Sequence, residues 1–503
     1  MSWQTVRLIS FYAVLSAITN FPSGFTNSSV NTAVEKLHKF IVTSFAKSGE
    51  TIDQDKVALF QSATLNCWFV SQIFGSLMTP LISDRYGRRV GYIVCVSTTI
   101  FATFVQYFSI CFYSPWGLMI GRSLTAIVSP LGDACLLLYV QETAPTNIRG
   151  MASFLCEIGY GSMCVLGMVL GMESVLGDSL SRLLLLSMVP LIFSLTFVLQ
   201  IPETPKYLMI TRNDKEKAGQ SLEFFRGPSP MNEEQLKEYE KERMTERESR
   251  NSKYVELWSR WHLRQSMRIA IATLCLTLSF YPILQSSTYF LLESGVPGDQ
   301  AQLFSTLSQV VLTLSSIFGA SIIDRYSRRK LLISFGILSN ILLICFSFFS
   351  SLSSTINSPA LWPKYACLAS LLGYCISFGM ILGPLSWFVA PELVSQRHRC
   401  TIFSACFAIH NLLIALTDFA TIPLFRIYGS ICFIYLFVGP SIFCLFYIYL
   451  YMPETLKKST LEIINEIIDR GEHKPPKSKG MEEGVVQVRD RLFQFPDGEI
   501  EVY

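Results

Sequence analysis

Charge is what this chain has least of. Only 16% of its 503 residues are Asp, Glu, Lys or Arg, against about 25% in an ordinary soluble domain. The deficit runs along most of the length, which excludes a soluble protein held by one anchor. Half of the residues are hydrophobic, and the mean hydropathy is +0.39. A net charge of +3 is too small to suggest a nucleic-acid partner. There is no Gly-rich phosphate loop, metal-ligand cluster or nucleophile elbow, so neither an enzyme nor a bound cofactor is expected. None of the 14 cysteines has the CxxC spacing of a metal or redox site. Those at 67, 95, 135, 164, 275, 345 and 444 lie in apolar segments and read as small apolar filler. A cleavable leader is missing too: the first apolar stretch begins near Leu8 without a small-residue cleavage site and reads as a span.

What the chain does have is long apolar runs. A hydrocarbon layer about 30 Å thick takes roughly 20 helical residues to cross. Twelve segments meet that length: about 8–30, 57–82, 90–111, 115–140, 150–172 and 181–201, then about 265–291, 300–323, 330–350, 364–390, 400–424 and 428–452. The cations follow the even-numbered segments: Arg85, Arg88 and Arg89 after the second, Arg149 after the fourth, Arg325, Arg328, Arg329 and Lys330 after the eighth, Arg397 and Arg399 after the tenth. That asymmetry places the even connections, and both termini, in the cytoplasm. The expected fold is an all-α membrane protein of 12 transmembrane helices in two six-helix halves. Its parts are a first half (1–201), a cytoplasmic linker with short amphipathic helices (202–264), a second half (265–452) and a cytoplasmic tail (453–503) that is disordered after about 470.

The halves repeat one another. "SDRYGRRVGY" (83–92) returns as "IDRYSRRKLL" (323–332), 240 residues later (324 − 84). "ETAPTNIR", from Glu142 to Arg149, returns as "ELVSQRHR", from Glu392 to Arg399, at an offset of 250 (392 − 142). "PETPKYL" from Pro202 returns as "PETLKK" from Pro453, at an offset of 251 (453 − 202). Three motif pairs in one order, each at the same end of an even segment, point to a duplicated six-helix unit.

These motifs resemble the sugar-porter branch of the major facilitator superfamily, which includes the facilitative glucose transporters. The resemblance covers about 10–465 and is most specific in "PETPKYLMITRNDKEKA" (202–218) and "GPLSWFVAPELVSQRHR" (383–399). It implies a small solute held near mid-membrane between the halves, with alternating access by rocking of one half on the other. On this reading Asp84, Arg85, Arg88, Glu142, Arg149, Glu203, Asp324, Arg325, Arg328, Glu392, Arg399 and Glu454 form a cytoplasmic gate whose ion pairs break when the protein opens inward. The alternative is that the arginines only set topology.

The resemblance also places Asn31, Trp387 and Asn411 where sugar-contacting residues stand. Amides donate to and accept from hydroxyls, and indole covers ring C–H groups. A lone intramembrane Asn can equally bond a neighbouring helix. Other family positions differ. Gln285 is the one amide in "LSFYPILQSSTYF", Leu312 and Leu412 replace an asparagine and a tryptophan, and Glu157 stands for a glutamine.

Asp133 and Glu157 lie 13 residues before and 11 after the turn near 146, so both reach about 17–20 Å up antiparallel helices. Carboxylates at that depth face a cavity or a partner. They are candidates for a proton site or for the counter-charge of a cationic substrate; an ion-paired structural role is the other reading, with Arg122 as partner. Asp418, near His410, is a third acid of this kind. Proton-driven members of the branch often carry an aspartate where this chain has Thr26, which favours passive uniport. The leading expectation is a facilitative carrier of a hexose or similar hydroxylated solute. A transporter of organic cations or other charged solutes, proton-coupled through Asp133 or Glu157, and a non-transporting sensor are the alternatives. The expected partners are the solute and the lipid bilayer; the family default is the plasma membrane, and nothing specifies an oligomeric state. The sequon at Asn27 falls at the end of the first segment, or inside it, where a continuous helix leaves no room for a glycan.

Overall fold

In a computed structural model the first described helix begins at Trp3 and the last ends at Glu472. The residues described are 3–472, except 50–53, 146–148, 173, 229–230, 249–255, 258, 294–297, 324, 356–361, 395, 457 and 459. Twelve helices are long and apolar enough to cross a membrane. Spans 1–6 are Val6–Ser29, Leu59–Tyr86, Arg88–Cys111, Pro115–Thr143, Met151–Gly171 and Leu180–Gln200. Spans 7–12 are Trp261–Leu284, Gln300–Ile322, Arg328–Ser353, Trp362–Glu392, His398–Ile431 and Ile434–Tyr451. This is the all-helical, two-half membrane architecture that the apolar runs require.

Within each half, neighbouring spans pack as a bundle; between halves, span 2 packs on span 11 and span 5 on span 8. Small residues let the halves approach. A Cβ on Gly161 of span 5 would stand 2.7 Å from Oγ1 of Thr313 in span 8. Without a hydrophobic drive between helices in lipid, such close approach supplies the packing.

Three spans that border the seam depart from regular helix. Span 1 widens to a π-turn at Phe21–Phe25, around Pro22, which has no N–H to give. Span 10 does the same at Phe378–Leu382, just before Gly383 and Pro384. In span 7 the helix Trp261–Cys275 stops and a second, Phe280–Glu293, begins with Pro282 in its first turn, where the missing N–H costs nothing. Single π-turns inside helices gather at functional sites.

Outside the spans, helix Val34–Lys47 follows span 1. Pro205–Ile210, Lys215–Arg226 and Met231–Glu248 occupy the linker, the second capped by the Asp214 carboxylate, which accepts from Lys217 N at 3.1 Å. The tail contains one further helix, Thr460–Glu472, which the sequence reading did not anticipate; the stretch expected to be disordered, beyond 472, lies outside the described residues. Pro423 stays within a continuous helix, Gln396–Tyr428, and the break before span 12 falls at Gly429, whose φ of +63° suits glycine.

Candidate functional site

A cavity of about 110 Å³ lies in the seam, lined from both halves. Asp133, Glu157, Trp387 and Asn411, singled out from sequence, all line it. Asp133 comes from span 4 and Glu157 from span 5; Trp387 follows the span 10 π-turn, and Asn411 sits in span 11. Trp387 is fixed by aromatic neighbours: its ring centroid is 4.9 Å from Phe407 and 5.9 Å from His410. Asn411 donates from Nδ2 to the Phe407 carbonyl at 3.0 Å. Asn31 belongs to helix Thr26–Thr32, but its side chain lies outside the described residues.

Sequence reasoning missed Asn20, Asn27 and Gln72 as cavity residues. Asn20 donates to the carbonyls of Ser16 at 2.9 Å and Cys156 at 3.0 Å, tying span 1 to span 5. Gln72 of span 2 donates to Ser129 Oγ at 3.4 Å, and Ser129 lies close enough to act on Asp133. Asn27 is 5% exposed, which rules out a glycan there, and its Oδ1 has no partner among the described residues. The seven-residue interval between Asn20 and Asn27 equals two turns only in a regular helix, and the π-turn at Phe21–Phe25 lies between them, so the spacing gave no usable signal.

Arg122 does not neutralise the acids. It is buried, donates to the carbonyls of Thr64 at 3.1 Å and Thr26 at 3.3 Å, and stacks over Trp68 at 5.9 Å. Asp418 is also buried but does not line the cavity, and His410 Nε2 pairs with Thr277 Oγ1 at 3.1 Å.

The charged motifs form two matching clusters at one face, called here the arginine face. In the first half, Arg88 Nη2 meets Glu142 Oε1 at 2.8 Å, and Glu142 Oε2 accepts from Thr204 Oγ1 at 2.5 Å. Glu203 Oε2 accepts from the backbone N–H of Arg89 at 3.0 Å. In the second half, Arg328 pairs with Glu392, and Glu454 accepts from the Ser327 hydroxyl and, at 3.1 Å, from Arg328 N–H. Both described ion pairs join helices of one half. Neither crosses the seam.

Within the D-R-Y-x-R-R motif itself the two clusters differ in one residue. Gly87 has φ +105°, and a Cβ there would lie 2.3 Å from Glu203 Oε2; at the matching position Ser327 adds a hydroxyl donor to Glu454. The two matched acids then titrate oppositely. Burial dominates at Glu203 and raises its carboxyl above the ordinary range, against the N–H groups of Thr204 and Arg89. Burial also acts on Glu454, but Ser327 and the N–H groups of Leu456, Arg328 and Arg329 outweigh it and hold the carboxyl low.

The other motif residues surround these pairs. Asp84 lies close enough to act on Arg88, Arg85 is exposed with its carbonyl accepting from Tyr207 at 2.9 Å, Arg325 is exposed, and Arg399 donates to the Pro391 carbonyl at 2.9 Å. Asp324 and the side chain of Arg149 lie outside the described residues.

The model of the Sugar (and other) transporter family matches residues 9–467. The chain belongs to that family. It is therefore a multi-pass membrane transporter and not an enzyme. Solute carrier family 2, facilitated glucose transporter member 9 of Mus musculus is 27% identical over 497 residues, covering 93% of this chain and 88% of the relative. Member 1 of Gallus gallus is 27% identical over 423 residues, covering 82% and 84%. Among solved structures, the proton:xylose symporter XylE bound to 6-bromo-6-deoxy-D-glucose superposes with a TM-score of 0.74 at 15% identity, covering 91% of this chain and 98% of its own. The inward-open xylose transporter XylE from E. coli gives 0.68 at 15% identity, covering 92% and 99%. These two likenesses speak to the fold.

Proposed function

We propose that this transporter carries a small hydroxylated solute, of hexose size and chemistry, by alternating access at the cavity between its halves. The observation that carries the reading is the lining itself: an indole face at Trp387 beside the amides of Asn20, Asn27, Gln72 and Asn411, drawn from both halves. An apolar plate opposite several amides is the chemistry a pyranose ring calls for. The names of its relatives as facilitated glucose transporters agree with it.

In this reading the halves, 1–201 and 265–452, rock as units. The two arginine-face clusters brace each half, so that motion concentrates in the seam rather than within a bundle. The excess of cations puts that face in the cytoplasm, with both termini, and the plasma membrane is the proposed site. Thr26 offers no carboxyl to Arg122, which favours facilitative uniport. Asp133 and Glu157 favour a second reading, in which a proton or a charged solute uses them.

The test is uptake of labelled hexose into cells lacking their own hexose carriers, at acidic and neutral pH. Saturable uptake, equal at both values, is expected. Uptake that rises in acid selects the proton-coupled reading. Absence of uptake with the chain present at the cell surface overturns the assignment of a neutral hexose.

A further inference from the structure

Among the described residues that line the cavity two are carboxyls and none is Lys, Arg or His. Asp133 and Glu157 stand close enough to feel each other's charge. Glu157 accepts no hydrogen bond from any described residue. Asp133 has Ser129, itself approached by Gln72 Nε2. Arg122, buried in span 4, donates from Nε and Nη1 to main-chain carbonyls and stacks over Trp68; its Nη2 has no partner among the described residues, and it forms no ion pair with either acid. Two acids at this depth are costly unless they take up protons or the occupant supplies the charge.

The amides point the same way. Asn20 places its amide nitrogen against the carbonyls of Ser16 and Cys156, and Asn411 places its own against Phe407. A backbone carbonyl only accepts, so these nitrogens are assigned by chemistry, and the amide oxygens are left for other donors. Asn27, 5% exposed and lining the cavity, has a buried Oδ1 with no partner among the described residues. The wall is thus rich in acceptors and negative, with Trp387 as its apolar plate.

Resting on the sugar-carrier reading above, we propose that the preferred substrate is a protonated amino sugar of the hexosamine class. Its ammonium is held by Glu157 and Asp133, its hydroxyls donate to the Asn20 and Asn411 oxygens, and its ring lies on Trp387. An ammonium brings three donors and one positive charge, which is what this wall lacks. A neutral hexose matches the plate and the amides but leaves both acids uncompensated.

The experiment compares D-glucosamine with D-glucose, which differ in one substituent, ammonium for hydroxyl. The full chain is expressed in oocytes, and radiolabelled uptake and clamp current are read in the same cells at neutral pH. The proposal expects saturable glucosamine uptake, at least about tenfold favoured over glucose in Vmax/KM. It also expects an inward current proportional to that uptake, because the cation moves without a counter-ion. Glu157→Gln should lower the glucosamine-to-glucose ratio at least fivefold, and Asp133→Asn serves if the first variant does not reach the surface; the wild-type comparison decides even without either. Glucose carried as well as glucosamine, with no current for glucosamine, overturns the proposal and leaves the sugar-carrier reading standing. Current with glucose that grows in acid also overturns it, since the acids then carry protons. Neither solute carried, with the chain at the surface, overturns both readings.

Discussion

Trp387 is the residue on which the sugar reading turns most directly. Its plane is held by Phe407 and His410, so it is a preset plate rather than a flexible contact. Trp387→Ala removes the stacking face, and an aromatic contact of this kind contributes about 0.5–1.5 kcal/mol beyond burial. KM should therefore rise at least about three- to tenfold, read by uptake kinetics normalised to surface protein; an unchanged KM would mean that the ring only fills space. Trp387 was legible because it sits in a motif with a fixed position in span 10. The span 1 asparagines were not. A wheel drawn at 100° per residue assumes regular helix, but the π-turn at Phe21–Phe25 inserts a residue into the ladder and rotates everything after it. Asn27, which the sequence offers as a sequon, thereby lines the cavity. Gln72 carried no motif at all. Charge was easier to read than amides, since Asp133 and Glu157 stand out wherever carboxyls are expensive.

At the scale of elements, the duplicated motifs allow one half to serve as the control for the other. Arg88 pairs with Glu142, whose side chain is 1% exposed; Arg328 pairs with Glu392, whose side chain is 25% exposed. Removing the base strands the acid in each case, but only Glu392 can turn to water. Arg88→Ala should cost about 3–5 kcal/mol, the usual result of leaving a buried charge unpaired. Arg328→Ala should cost about 1.5–3 kcal/mol, nearer the loss of a charged hydrogen bond. Thermal unfolding of the purified variants in one detergent should thus show the larger Tm fall for Arg88→Ala; equal falls would show that water reaches Glu142 as well. The existence of these elements was plain from apolar length and the three repeated motifs. Their partners were not, because a motif records which residues recur and not which helix faces them. The two ion pairs described each join helices of one half. Span 7 shows the same limit: Pro282 marks the break only once Phe280–Glu293 is seen to start there.

For the molecule as a whole, the question is which face the cavity communicates with. Its lining reaches Ser153 and Cys156, about 6–10 Å along span 5 from Arg149 at the arginine face. At the other end Phe69 of span 2 meets Tyr281 of span 7 across the seam, with ring centroids 5.5 Å apart, and helix Thr26–Thr32 packs on Phe280–Glu293. The aromatic contact and the helix packing close the outer approach, while the shorter path leads past span 5. Cys156 is the one cysteine in the lining and is a built-in reporter. A membrane-impermeant thiol reagent should modify it rapidly from the arginine face and slowly from the other, with the difference abolished in Cys156→Ser. Saturating substrate should slow the reaction from the arginine face, because a solute on Trp387 and Glu157 occupies the route to the thiol. Gly161 then gives the link to motion. With Thr313 Oγ1 already 2.7 Å from where its Cβ would be, Gly161→Val wedges spans 5 and 8 apart. If the halves rock as units about this seam, the wedge must alter Cys156 reactivity from a residue that contributes nothing to the cavity wall. Unaltered labelling rates in that variant would place the moving parts inside the halves instead.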